Sequence, residues 1–572
     1  VKEMKEISGA EIILEVLQHH NINTVFGYPG GSVLPLYDAL YSYKDRINHI
    51  LTRHEQGAAH AADGYARSSG GIGVCIVTSG PGAANTISGL MTAYMDSTPM
   101  LVITGQVSSK NLGTDAFQEL DIMGVTDSIT KHNYLVRTIE ELPHVLREAI
   151  YLTKNGRPGP VLLDIPKDIQ MTKMSYDKFK SDFNNEDNLT LDYKYVYEKP
   201  KKKIMDQFLT MIKQSKRPII LAGNGVMKSN SSYELREFSR KFDIPVTTTL
   251  LGLGILPADD KYNLHMLGMH GTAYANYAVD ESDLVIALGM RFDNRVTGNI
   301  ERFCKDAKII HVDIDEAEID KNKRADLHIV GDVNLILKTL LKYQEEDKNE
   351  KWMERVKELK EKYPLDRKFS ENYITSQYLI SQISELTKGE AIVCTDVGQH
   401  QMWSAQYYNF NTTNSIITSG GAGTMGFGLP AAIGAKLANP HREVIAIVGD
   451  GGFQMNSQEL MTISEYDLDI KIIIVNNSFL GMVKQLQEVF YEKRHSFVKL
   501  EKNPDFVMLG RAYGIDSHIV DTPKNLDEIL TKIFSIKKAT LVNCIVSKEE
   551  NVFPMIPGGK SVDEMIMSGE EL

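Results

Sequence analysis

Cysteine is scarce in this 572-residue chain, and the four present, Cys75, Cys304, Cys394 and Cys544, lie far apart. They form no CxxC pair and no Cys/His cluster, which argues against a zinc site. Isolated cysteines of this kind are expected to be reduced core residues in a reducing compartment. Long apolar runs are also missing: none approaches the ~18 residues of a membrane span. The opening VKEMKEISGAEIILEVL sets acids inside an amphipathic pattern, unlike a secretory signal. A cytoplasmic location is expected. Basic excess is absent too, with 63 Lys+Arg against 75 Asp+Glu and a formal net charge of -12. That balance disfavours nonspecific nucleic-acid binding, which needs basic stripes to neutralise phosphates. It leaves room for a local basic pocket.

What is present is an ordinary globular composition, 42% hydrophobic and 24% charged. Residues 1–172 alternate apolar runs with small-residue turns. The runs 74–77, 100–103 and 161–165 read as buried strands, with a helical pattern over 82–95. Strand, helix, strand in succession predicts a parallel sheet wrapped by helices. Residues 173–203 turn polar and lysine-rich and read as a linker. A second α/β block covers 204–343, with strands at 218–222, 284–288 and 308–312. A charged linker helix follows over 344–369. A third α/β block spans 370–550, with its strongest strands at 444–448 and 470–475, and residues 551–572 form a tail or lid. The expectation is an α/β protein of three doubly wound parallel-sheet domains, with ligands at the carboxyl ends of strands.

The most informative segment is the apolar run ending in Gly449-Asp450-Gly451, followed after 24 residues, the first of them Gly452, by Asn476-Asn477 at the end of a second run. Two neighbouring parallel strands would then present a carboxylate from Asp450 and an amide carbonyl from Asn477. Hard oxygens of this kind suit Mg²⁺, which takes few ligands from protein and more from phosphates and water. The glycines let the backbone approach a diphosphate. A second signal is Arg53-His54-Glu55 leading into a helix rich in Ala and Gly. Close packing around small residues would bury Glu55, and enclosure of a carboxyl favours its neutral, proton-bearing form.

These motifs resemble those of thiamine-diphosphate enzymes, and nearly the whole chain resembles the acetohydroxyacid synthases. The resemblance includes FGYPGGS (26–32), RHEQGAAHAADGYAR (53–67), TSGPGAAN (78–85), GTDAFQE (113–119) and GRPGPVLLDIPKDIQ (156–170). It continues through GMHGTAYAN (268–276), RFDNRVTG (291–298), GAGTMGFGLPAA (421–432) and NNSFLGMVKQ (476–485). It implies pyrimidine-binding, central FAD-type and diphosphate-binding domains. It also implies decarboxylation of pyruvate and condensation of the hydroxyethyl unit with a second 2-keto acid, either pyruvate or 2-ketobutyrate. That is the first common step of branched-chain amino-acid biosynthesis. A pyruvate-oxidase-like flavin oxidoreductase is the rival enzyme class, and a non-catalytic binding protein is a third possibility.

By the same resemblance Glu55 activates the thiamine diphosphate, acting from one subunit onto cofactor held by another. Asp450, Asn477 and the Phe479 carbonyl hold Mg²⁺. Tyr28, Pro29, Pro81, Asn85, Val397, Gly398, Gln399, His400, Gly451, Gly452, Leu480, Gly481 and Met482 surround the thiamine diphosphate, and Gly423 and Met425 support its aminopyrimidine. Gln118 orients the reacting groups, with Lys167 and Arg295 as further catalytic candidates. Ser32, Phe117, Lys167, Met482 and Leu486 line the substrate channel. Arg157, Gly225, Thr249, Leu250, Met269, His270, Gly289, Arg291, Arg295, Asp313 and Ile314 contact FAD, whose role would be structural. A homo-oligomer and a small regulatory subunit are implied as partners. Three positions depart from the family pattern. Leu486 replaces a usual tryptophan, Ser108 a common proline and Asn294 a frequent aspartate. The first predicts weaker preference for 2-ketobutyrate, and the first two together predict weak sulfonylurea inhibition.

Overall fold

The computed structural model describes residues 5–184, 199–344 and 349–571. The first unit holds β1 (Glu6–Ser8), β2 (Thr24–Tyr28), β3 (Asn48–Leu51), β4 (Gly73–Val77), β5 (Met100–Gln106), β6 (His132–Leu135), β7 (Pro160–Pro166) and β8 (Lys173–Ser175). The second holds β9 (Pro218–Ala222), β10 (Val246–Thr248), β11 (Asn263–Met266), β12 (Leu284–Leu288), β13 (Lys308–Asp313) and β14 (Leu327–Val330). The third holds β15 (Ile392–Thr395), β16 (Ile416–Ile417), β17 (Val444–Gly449), β18 (Lys471–Asn476), β19 (Asp516–Val520) and β20 (Thr540–Ile545).

Each unit builds one six-stranded sheet, in the orders β3-β2-β4-β5-β7-β6, β11-β10-β9-β12-β13-β14 and β16-β15-β17-β18-β20-β19. The pairings within all three are parallel. Central strands such as β5, β7, β9, β12 and β17 are buried along their whole length. Helices on both faces therefore demand continuous apolar runs in place of alternation. Counted within their own sheets, the first and third share one winding order. The second winds 3-2-1-4-5-6, the order of dinucleotide-binding sheets.

The first and third units meet where helix Glu55–Ser69 crosses helix Gly428–Ala438. Gly64 packs on Ala431 and Gly434 on Ala61, backbone to backbone, so a Cβ at either glycine would collide. The Ala/Gly richness of both segments is thus the condition for a close crossing. Residues 173–184, expected within the linker, instead belong to the first unit. Strand β8 pairs antiparallel with β1, and helix Tyr176–Asn184 packs on helix Leu142–Lys154. Of the remaining expected linker, residues 185–198 lie outside the described residues. Helix Glu350–Lys362 lies against the central unit, with Trp352 Nε1 donating to the Pro218 carbonyl at 2.9 Å. The tail also packs inward: Ile556 N–H donates to the Met269 carbonyl at 2.8 Å and Asn299 N–H to that of Lys560 at 2.8 Å.

Candidate functional site

In each sheet the winding reverses between two neighbouring strands, leaving a crevice at their carboxyl ends. In the third unit this lies between β15 and β17, and Asp450 follows β17 directly. Asp450 is 1% exposed. Its Oδ2 accepts from Asn503 Nδ2 at 2.7 Å. Gly449 at the end of β17 lies opposite Val475 on the neighbouring β18, so Asp450 follows one strand end and Asn477 the next. Asn477 Nδ2 donates to Gln399 Oε1 at 3.3 Å, and its Oδ1 accepts the Phe479 N–H at 3.0 Å, which leaves that oxygen a second lone pair. Burial pushes Asp450 up to about 6, opposed by its hydrogen bonds. A divalent cation there would favour the ionised form. One carboxylate, one amide oxygen and a nearby main-chain carbonyl match the sparse protein ligation of magnesium.

Around that pair, Gly398, with φ +153, follows β15 and opens the helix bearing Gln399 and His400. A Cβ at Gly398 or Gly449 would press on the His400 ring at 2.9 Å. His400 is buried, its Nε2 has no hydrogen-bond partner, and burial lowers it to about 4. A buried neutral imidazole with a free ring nitrogen is costly unless something else bonds it, and a phosphate oxygen would. Gly452 backs onto Asp396, whose carboxylate accepts the Gly426 N–H at 3.0 Å. Gly423, with φ +64, faces open space, and Met425 is half-buried nearby, its methyl 3.8 Å from where a Gly451 Cβ would sit. Gly481 abuts Gln399, while Leu480 receives main-chain pairing from the Val498 carbonyl at 2.8 Å.

Glu55 is the first residue of its helix, capped by His54, whose Nδ1 accepts the Gln56 N–H at 3.1 Å. Asn85 Nδ2 donates to Glu55 Oε2 at 2.9 Å, and Gly82 leaves space next to Oε1. The side chain is half-buried, short of the full enclosure expected from the small residues around it. Those residues pack the other faces of the helix against Gly428–Ala438, while the carboxyl projects toward the carboxyl edge of the first sheet. That edge is open: Tyr28 is 39% and Phe117 88% exposed there. Pro29 and Pro81 are exposed on it as well, and Lys167 is half-buried just past β7.

Gln118 is held in a left-handed conformation, φ +61, with Gly80 against its carbonyl. Its loop is fixed by Gln106, which donates to the Leu120 carbonyl at 2.9 Å and to Asp164 at 2.8 Å. Burial raises Asp164 to about 7. Ser32 differs from its expected channel position. It is buried, its hydroxyl 2.8 Å from Thr78 Oγ1 and accepting the Ser79 N–H at 2.8 Å. Among the described contacts none joins Glu55 to the Asp450–Asn477 pair.

One cavity of about 630 Å³ runs from the central crevice to the third unit. Arg157, Gly225, Thr249, Leu250, Met269, His270, Gly289, Arg291, Arg295, Asp313 and Ile314 line it, and it reaches Val397, Gly398, Gly423, Met482 and Leu486. Gly225 and Gly289 stand at the ends of β9 and β12, where a Cβ on either would lie 2.5 Å from the other's Cα. His270 is buried with Nδ1 unpartnered. Asp313, at the end of β13, is pushed up to about 6 by burial. These features fit an FAD. Arg157, however, already pairs with Asp315 at 3.2 Å and Glu318 at 2.6 Å. Arg295 is exposed, its Nη1 3.3 Å from Met269 Sδ.

Three contributors had no usable signal in the sequence. Asn503 sits in an ordinary loop. Glu459, fully buried, accepts the Arg53 N–H at 3.0 Å from across the domain boundary. Asp96 binds the Gly420 and Gly421 N–H groups at 2.9 and 2.7 Å. Each acts through a contact more than 50 residues away in the chain.

Two sheets of one winding order and a third of dinucleotide-binding order, with a carboxylate–amide pair at the ends of β17 and β18 and a glutamate just past β3, fit a thiamine-dependent enzyme. The sequence matches the N-terminal thiamine-pyrophosphate-binding domain over residues 7–125, the central domain over 205–340 and the C-terminal binding domain over 396–544. It is 46% identical to the acetolactate synthase large subunit of Lactococcus lactis, covering 99% of this chain and 97% of that protein. It is 46% identical to the chloroplastic acetolactate synthase 1 of Zea mays, over 98% of this chain and 89% of that protein. A probable large subunit from Methanocaldococcus jannaschii is 45% identical, over 98% and 95%. The chain belongs to the acetolactate synthase large-subunit family of thiamine pyrophosphate enzymes. A pyruvate-oxidase reading is not favoured by these relatives.

Proposed function

We propose that the chain joins two 2-keto acids with loss of one carbon dioxide. Two pyruvates give 2-acetolactate, and pyruvate with 2-ketobutyrate gives 2-aceto-2-hydroxybutyrate. Thiamine diphosphate, when bound, supplies the carbon nucleophile and the electron sink for decarboxylation. Asp450, Asn477 and the Phe479 carbonyl would hold a Mg²⁺, and His400, Gly398 and Gln399 would receive phosphate oxygens of the cofactor. Glu55 presents its carboxyl to the cofactor's ring and is aimed by the Asn85 amide. Gln118, fixed by its left-handed backbone, orients the acceptor keto acid. Lys167 and Arg295 offer cations to substrate carboxylates, and Leu486 with Met482 sets the shape of the acceptor pocket. FAD, in the central cavity, serves as a structural element because the reaction has no net redox change.

The carrying observation is the buried Asp450 carboxylate at the end of β17, next to Asn477 at the end of the adjacent β18, where the strand order reverses. The exposed edge around Glu55 supports a homo-oligomer in which a second copy completes the site. A small regulatory partner and a cytoplasmic setting accompany this reading. Among the described residues no helix is long and apolar enough to cross a membrane. The test is product analysis with pyruvate alone and mixed with 2-ketobutyrate, with and without FAD. Acetohydroxy acids at one per carbon dioxide, with flavin left oxidised, are expected. Acetate with flavin reduced at the turnover rate would refute the reading.

A further inference from the structure

The short turn after helix Ile87–Met95 touches all three units at once. Asp96 is 3% exposed and spends both carboxylate oxygens on the third unit's loop, taking the Gly420 N–H at 2.9 Å and the Gly421 N–H at 2.7 Å. The same carboxylate pairs with Arg67 Nη2 at 3.0 Å, and Arg67 Nη1 donates to the Thr418 carbonyl at 2.8 Å. Four residues earlier, Thr92 Oγ1 lies 2.7 Å from Thr424 Oγ1. The segment 418–424, which leads to Gly423 and Met425, is thus hung from one end of a first-unit helix.

The opposite side of that turn faces the central cavity. Asn224, next to the cavity glycine Gly225, donates from Nδ2 to the Asp96 carbonyl at 3.1 Å. Ser97, with φ +57, accepts from Arg157 Nε at 2.9 Å. Arg157 in turn pairs with Asp315 and Glu318, just past Asp313. Asp96, Ser97, Asn224, Arg157 and Gly420 all border the one cavity.

We propose that Asp96 is a positioning residue that couples occupancy of the central cavity by a flavin dinucleotide to the conformation of the 420–425 segment. Filling of one site thereby prepares the other. This rests on the reading of the cavity given above. Flavin against Asn224, Gly225 and Arg157 fixes the turn, and the turn fixes the two glycine N–H groups through a single carboxylate. Asp96→Asn replaces one acceptor oxygen with an NH₂ group facing N–H donors. It leaves the cavity wall in place.

The test titrates thiamine diphosphate with Mg²⁺ into the cofactor-stripped full chain, with and without saturating FAD, followed by calorimetry. In the parent protein, FAD is expected to lower the thiamine diphosphate Kd by about 5-fold or more, the lower end of ordinary site-to-site coupling. In Asp96→Asn the ratio should fall below about 2-fold, although FAD still binds by quenching of its own fluorescence. Ser97→Ala, which removes only the Arg157 contact, should reduce the ratio part-way and covers the case of an unstable Asn variant. Full coupling in both variants, or none in the parent with FAD bound, would overturn the proposal. Failure of the parent to bind FAD at all would remove the cavity reading itself, and the proposal with it.

Discussion

At the residue scale the account turns on a few side chains whose surroundings leave them one chemical role. Glu55 is fixed by the amide donor of Asn85. Replacing it by glutamine keeps the shape and removes the acid–base function. Glu55→Gln should lower kcat by about 10²–10⁴, the usual worth of a positioned acid or base, with little change in Tm. Pyruvate consumption and a thermal scan on the same sample check both halves. Leu486, at the mouth of the cavity on helix Gly481–Phe490, tests specificity. Leu486→Trp should raise discrimination for 2-ketobutyrate over pyruvate by roughly 1–3 kcal/mol, the range for modest hydrophobic additions to a pocket. Competition between the two acceptors measures it, and an unchanged product ratio would contradict the role given to this position. Asp450 and Asn477 stood out in the sequence because polar residues at the ends of long apolar runs have few purely structural uses, and Glu55 because it opens a helix rich in Ala and Gly. Ser32 was misplaced because a small hydroxyl serves a turn as readily as a channel.

At the scale of elements, the strands were legible and the contacts between elements were not. Runs such as 444–448 and 284–288 are apolar throughout because both faces of a parallel sheet are covered, so composition alone marked them. The 173–184 segment misled because its charged residues face solvent while Met174 and Phe179 pack into the first core. Glu459 was invisible because its partners are main-chain groups 406 residues away. It sits where the third unit meets the start of the Glu55 helix, and burial raises it from the ordinary glutamate value of 4.5 to about 7. Since the folded pKa lies above the unfolded one, its stabilising contribution is whole below about 4.5 and is lost as pH rises through about 7. Glu459→Gln cannot ionise. The Tm of the variant relative to the parent should therefore climb between pH 5 and pH 8, and a difference that is flat across that window would contradict the buried contact.

At the scale of the whole molecule, the proposed site residues fall into two groups that no contact joins among the described residues. The Glu55 half, with Asn85 and Gln118, lies on the open edge of the first sheet. The Asp450–Asn477 half lies at the switch point of the third. Three sheets, two of them wound alike, follow from a sequence that alternates strand and helix throughout. Their relative placement depends on glycine crossings such as Gly64 on Ala431, which no local pattern announces. If the halves serve different sites, a second copy must supply the missing one. The most direct measurement mixes two inactive variants, Glu55→Gln and Asp450→Ala, under conditions that exchange subunits. Random assortment into dimers makes half of them hybrids, each with one intact site of two, so about a quarter of parental acetolactate formation should return. Mixed dimers demonstrated by differential tagging, yet without recovered activity, would contradict the account.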